Sequence, residues 1–128
     1  MSRILMVEDS ETVRAVLTAT LEDLVAPVKI DSAASGCEAL RMLPREQYDL
    51  IVTNITTPDI DGLELVSFVK RNDQWRSIPV IIVSTEGSER DRDKGLSLGA
   101  AAYLVKPFDP EELLEVATAL LARAEQGA

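Results

Sequence analysis

Five short apolar runs divide the chain: "RILMV" (3–7), "VKID" (28–31), "DLIVT" (49–53), "PVIIVS" (79–84) and "AAYLV" (101–105). The first, third and fourth are almost continuously apolar, which predicts central strands buried on both faces. The second alternates Val28, Lys29, Ile30 and Asp31, which predicts an edge strand.

Helical spacing fills the gaps. Ser10 is placed to cap a helix that carries Val13, Val16, Leu17, Thr20, Leu21 and Leu24 on one face. Ser35 with Glu38 has capping-box spacing ahead of Ala39, Leu40 and Leu43. Asp61 with Glu64 has a related spacing before Leu65, Val66 and Val69. A polar segment opens at Ser88 and ends near Gly99, a C-cap glycine by position. Asp109, Pro110 and Glu112 mark a last helix start, with Leu113, Leu114, Ala117, Leu120 and Leu121 facing inward. Five strands alternating with five helices predict an α/β fold, a doubly wound parallel sheet covered on both faces. No repeat, low-complexity tract or internal linker interrupts it, so residues 1–128 read as one domain. The tail "RAEQGA" fits either a true C-terminus or the start of a linker.

Composition narrows the function. Aromatic residues are 4% of the chain and the net charge is −9, with no basic patch of any length. Base stacking and phosphate-backbone binding are both disfavoured, so no nucleic-acid partner is expected. Histidine is absent, which removes Ser-His-Asp and Cys-His catalysis and His-ligated metal sites. The one cysteine, Cys37, permits no internal disulfide and reads as structural; a reduced, cytoplasmic setting fits. The start "MSRILMVEDS" turns acidic too soon for a signal peptide, and no apolar run approaches membrane-spanning length. No membrane partner is expected.

In sheets of this kind, ligands bind outside the carboxyl ends of the strands. Strand one ends in Glu8-Asp9, strand three in Asn54, strand four in Ser84-Thr85 and strand five in Lys106-Pro107. Strand two ends in Asp31-Ser32 and adds nothing matched. Two adjacent carboxylates make a hard, oxygen-rich site suited to Mg²⁺. A hydroxyl and an ammonium nearby suit phosphate oxygens. Singly, each of these residues is an ordinary cap or surface group. Their joint placement at successive strand ends carries the signal.

"ILMVEDS", "YDLIVTNITTPDIDGLELV", "IPVIIVSTE" and "GAAAYLVKPF" together resemble the receiver domain of bacterial two-component response regulators, of the chemotaxis CheY type. The resemblance covers nearly the whole chain in order and spacing. It implies a flavodoxin-like, CheY-like (βα)5 sheet of strand order 2-1-3-4-5 and a signalling role rather than an enzymatic one. It implies that Glu8 and Asp9 hold Mg²⁺ together with the carbonyl of Thr56. Ser84 and Lys106 would bind the phosphoryl group, Tyr103 would be the aromatic switch, and Lys106-Pro107 would be a cis peptide. The implied partners are a sensor histidine kinase or phosphotransfer protein, and a downstream protein on the surface of the fourth helix, fifth strand and fifth helix. Thr57 stands where the family usually carries a Met; in the common pattern that residue points to solvent, so this departure carries little weight.

The departure is central. The family's phosphoacceptor is an aspartate, and this sequence has Asn54. A neutral amide does not replace a carboxylate as nucleophile. Its oxygen can still face a metal, so Mg²⁺ is expected to bind weakly. Asn54 is open to two readings: a substitution in a phosphorylatable receiver, or the native residue of a pseudo-receiver that signals by protein contact. A third class remains beside them, a Mg²⁺-dependent phosphate-handling enzyme or a flavodoxin-like cofactor carrier. Against a flavin stand the acidic "VEDSETV" after strand one and the scarcity of aromatic rings.

Overall fold

All five apolar runs form strands: β1 (Ser2–Val7), β2 (Val28–Ala33), β3 (Leu50–Asn54), β4 (Val80–Ser84) and β5 (Ala102–Val105). The helices between and after them are α1 (Glu11–Glu22), α2 (Gly36–Met42), α3 (Gly62–Arg71), α4 (Glu89–Leu98) and α5 (Pro110–Gln126). A computed structural model describes residues 1–84 and 89–126, with side chains as far as Arg123. The expected helix start at Ser88 and the strand-end Thr85 lie outside the described residues.

The strands form one parallel sheet in the order β2-β1-β3-β4-β5. Every residue of β4, and all of β3 but Asn54, is buried, whereas β2 is half-exposed at the edge. Period-two alternation divides the core into two layers. Leu5, Val7, Ile51, Val80 and Ile82 face α2 and α3, meeting Ala39, Leu65, Val66 and Val69. Ile4, Met6, Leu50, Val52, Ile81 and Val83 face α1 and α5, meeting Leu17, Leu21, Leu113 and Ala117. Burying each large aliphatic side chain contributes about 1.5–3 kcal/mol, so this two-sided core fixes the strand register. Among the described residues no helix is long and apolar enough to cross a membrane.

The caps form where the sequence placed them. Ser10 accepts from Val13 N–H, Asp61 and Glu64 make a complete capping box, and Gly99 ends α4 at φ 116°. Ser35 accepts from Glu38 N–H, but the Glu38 carboxylate reaches back to Ala34 N–H, so that box closes one residue early.

Two expectations need correction. Val16 does not face the sheet; it is 61% exposed. Val13, Leu17, Leu21 and, just past the helix end, Leu24 reach the core, whereas Val16 falls outside the strip along which α1 rests on the sheet. Leu114 is half-buried, at the margin of the stripe made by Leu113, Ala117, Leu120 and Leu121.

Candidate functional site

Because the sheet is parallel, all strand carboxyl ends meet at one rim. Glu8 follows β1 directly and is 1% exposed. Its Oε2 accepts from Ser10 N–H at 3.0 Å. Its Oε1 accepts from Asn54 Nδ2 at 3.0 Å and lies 3.5 Å from Lys106 Nζ. A buried carboxylate needs such partners, since an unpaired one costs several kcal/mol. Arg14 Nη1 donates to the Glu8 carbonyl at 3.0 Å, anchoring the β1–α1 turn from the helix side. No sequence signal pointed to Arg14.

The structure therefore brings Glu8, Asn54 and Lys106 into one contact cluster. Ser84 ends β4 beside them with its side chain fully buried, and its carbonyl accepts from Lys106 N–H at 2.7 Å. The Lys106-Pro107 peptide is cis. Asp9 is exposed at the mouth of the rim. Thr56 is also exposed, and its N–H reaches Asn54 Oδ1 at 3.4 Å. Tyr103 does not join the cluster. Its ring is 6% exposed and packs in the α2–α3 layer, close to Gly95 of α4.

Thr57 departs from the family's common pattern. Instead of pointing to solvent it is buried, and its hydroxyl donates to the Ile60 carbonyl within the β3–α3 loop. A β-branched hydroxyl residue can fold back on its own turn in this way, which a Met cannot do.

The matching family model is that of the response regulator receiver domain, and it covers residues 4–118. The chain belongs to the response regulator receiver domain family. This receiver is 36% identical over 126 residues to the response regulator ArlR of Staphylococcus aureus, covering 98% of this chain and 55% of that one. It is 40% identical over 94 residues to the probable transcriptional regulator ycf29 of Porphyra purpurea, covering 73% and 45%. The chain thus spans about half the length of the curated relatives it matches. Among solved structures, chemotaxis response regulator CheY4 of Vibrio cholerae superposes with a TM-score of 0.84 at 33% identity, over 94% of this chain and 98% of that one. A putative response regulator from Chloroflexus aurantiacus superposes at 0.88 with 30% identity, covering 94% and 98%.

The described rim residues include hard oxygen donors, the carboxylates of Glu8 and Asp9 and the Asn54 amide oxygen. That chemistry fits Mg²⁺ better than a softer metal. Among the described residues, however, no three His, Cys, Asp or Glu side chains are grouped to hold a metal.

Proposed function

We propose that this receiver carries Asn54 at the phosphoacceptor position, takes no phosphoryl group there in its present form, and signals by protein contact. The observation that carries the reading is the Asn54 side chain, set at the end of β3 and bonded to a buried carboxylate that also faces Lys106. A carboxylate at that point would be an attacking group flanked by acids and an ammonium. An amide cannot attack. Whether the asparagine is native or a substitution, the consequence for this chain is the same.

Glu8, Asp9, Asn54 and the Thr56 carbonyl would hold Mg²⁺, weakly, because two carboxylates replace three. The ion, when bound, would supply charge neutralisation for phosphoryl oxygens. Ser84 and Lys106 would hold such oxygens by hydrogen bond and charge. A sensor histidine kinase or phosphotransfer protein is the upstream partner. A downstream protein would meet the α4–β5–α5 face, where Leu96 and Val105 are each 38% exposed and Tyr103 lies beneath. Nucleic-acid contact is not proposed for these residues, whose net charge is −9. A cytoplasmic setting agrees with the single unpaired cysteine.

Amide chemical shifts during Mg²⁺ titration test this reading. The Asp9, Asn54 and Thr56 amides should move at high Mg²⁺ in the chain as it stands, and at much lower Mg²⁺ in Asn54→Asp. Rim amides that stay fixed in both forms would remove the cation site.

A further inference from the structure

Asp59 is the only described non-glycine residue in the left-handed backbone region, at φ 63°. Asp tolerates that region because its short side chain can bond locally. Its Oδ1 accepts from Ile60 N–H, and also from Cys37 N–H at 3.1 Å, across 22 residues of chain. Cys37 lies in the first turn of α2, where N–H groups have no partner within the helix. One of those donors is therefore satisfied from the β3–α3 loop.

The same loop has no slack on either side. A Cβ at Gly36 would stand 2.5 Å from the Ile60 carbonyl oxygen and 2.8 Å from Ile60 Cβ. A Cβ at Gly62 would stand 2.5 Å from the Asn54 carbonyl oxygen. Gly62 N–H donates to the Ile55 carbonyl at 2.8 Å, and Thr57 braces Ile60 from within. The segment that carries Thr56 is thus wedged between the first turn of α2 and the end of β3.

We propose that Asp59 is a positioning residue: by holding Cys37 N–H it ties the β3–α3 loop to α2, and so sets where Thr56 and Asn54 sit at the rim. What the Thr56 carbonyl then binds rests on the receiver reading above, but the clasp itself does not. The Asp59 carboxyl is held below its usual range by Ile60 N–H first, and also by the Cys37 N–H and thiol. Burial, then the hydrogen bond to Asp59, pushes the Cys37 thiol up. Cys37 is the only cysteine, so its reactivity reports on the clasp.

The test uses the full chain with Asp59→Gly and Asp59→Asn. Glycine accepts the backbone angle but removes the acceptor, whereas asparagine keeps both. Two readouts are followed: the Cys37 alkylation rate with N-ethylmaleimide, and the amide shifts of Cys37, Asn54 and Thr56. Asp59→Gly is expected to speed alkylation several-fold and to move all three amides. Asp59→Asn is expected to leave the Asn54 and Thr56 amides near their original positions. Asn54 and Thr56 amides unmoved in Asp59→Gly would overturn the proposal, as would an asparagine variant disturbed as much as the glycine one. Neither readout needs a cation or a phosphodonor. Failure here would leave the receiver reading standing, and failure of Mg²⁺ binding would leave the clasp standing.

Discussion

Asn54 Nδ2 donates to Glu8 Oε1 at 3.0 Å, joining the ends of β3 and β1 across 46 residues of chain. The amide thereby supplies a neutral donor to a carboxylate that is almost wholly out of water. It makes the rim self-consistent without an added cation.

Asn54→Asp reverses that relationship. It removes the donor and sets a second negative charge against Glu8. Losing a partner of a buried charged group costs roughly 1–3 kcal/mol, and the like-charge repulsion adds to it. For a chain of this size the melting temperature in metal-free buffer should fall on the order of 5–10 °C. Mg²⁺ should recover more of that loss than it adds to the Asn54 form, because it stabilises by binding the folded state. Thermal melts with and without Mg²⁺ check this. A variant as stable as the parent without metal would show that the Asn54–Glu8 bond contributes little.

A second polar cluster, built around Asp31, gives a pH-dependent contribution to stability. Asp31 accepts from Tyr48 Oη at 2.8 Å and from Arg3 Nε at 2.9 Å. Burial works against the charged carboxylate, but the Tyr48 and Arg3 hydrogen bonds outweigh it and hold its pKa below the usual range. A lowered folded-state value means stability that is present above the unfolded value, about 3.9, and lost as pH falls through the folded one. Asp31→Asn should cost on the order of 1 kcal/mol near neutral pH, a modest figure because the pair is partly solvated. The melting-temperature gap between parent and variant should hold between roughly pH 7 and pH 5 and narrow below about pH 4. A gap that widens in acid would refute the assignment.

Gly62→Ala tests how tightly the rim loop is seated. The added Cβ would meet backbone atoms, the Asn54 oxygen at 2.5 Å and Ile55 Cα at 2.8 Å, and neither can swing aside as a side chain would. Overpacking of this kind costs about 1–3 kcal/mol. The urea midpoint should drop, with the m-value unchanged if the denatured state is unaffected. An unchanged midpoint would show that the loop has room to yield.

Much of this was legible from the residues alone. Continuous apolar runs marked the central strands, and the alternation at Val28–Asp31 marked the edge, because burial on one face or two leaves different patterns. Ser10, Asp61 and Gly99 declared helix ends through groups that bond their own neighbourhood. What escaped depended on how the folded chain surrounds each side chain. Glu8 and Asp9 are adjacent and chemically alike, yet Glu8 is buried against Ser10, Asn54 and Lys106 and Asp9 is exposed. Thr57 turns inward because Ile60 offers it a carbonyl. Asp59 bonds Cys37 only because the fold brings α2 beside the β3–α3 loop. Val16 fits a helical stripe but lies beyond the width of sheet that α1 covers.

The most direct measurement is intact mass after incubation with acetyl phosphate and Mg²⁺, for the chain as it stands and for Asn54→Asp. Phosphoryl transfer depends chiefly on positioning and electrostatics around one attacking group. The Asn54 chain should therefore remain unmodified, and Asn54→Asp should gain one phosphoryl group that is lost when Mg²⁺ is chelated beforehand. A phosphoryl adduct on the Asn54 chain, or none on Asn54→Asp, would contradict the placement of Asn54 at the acceptor position of a working receiver site.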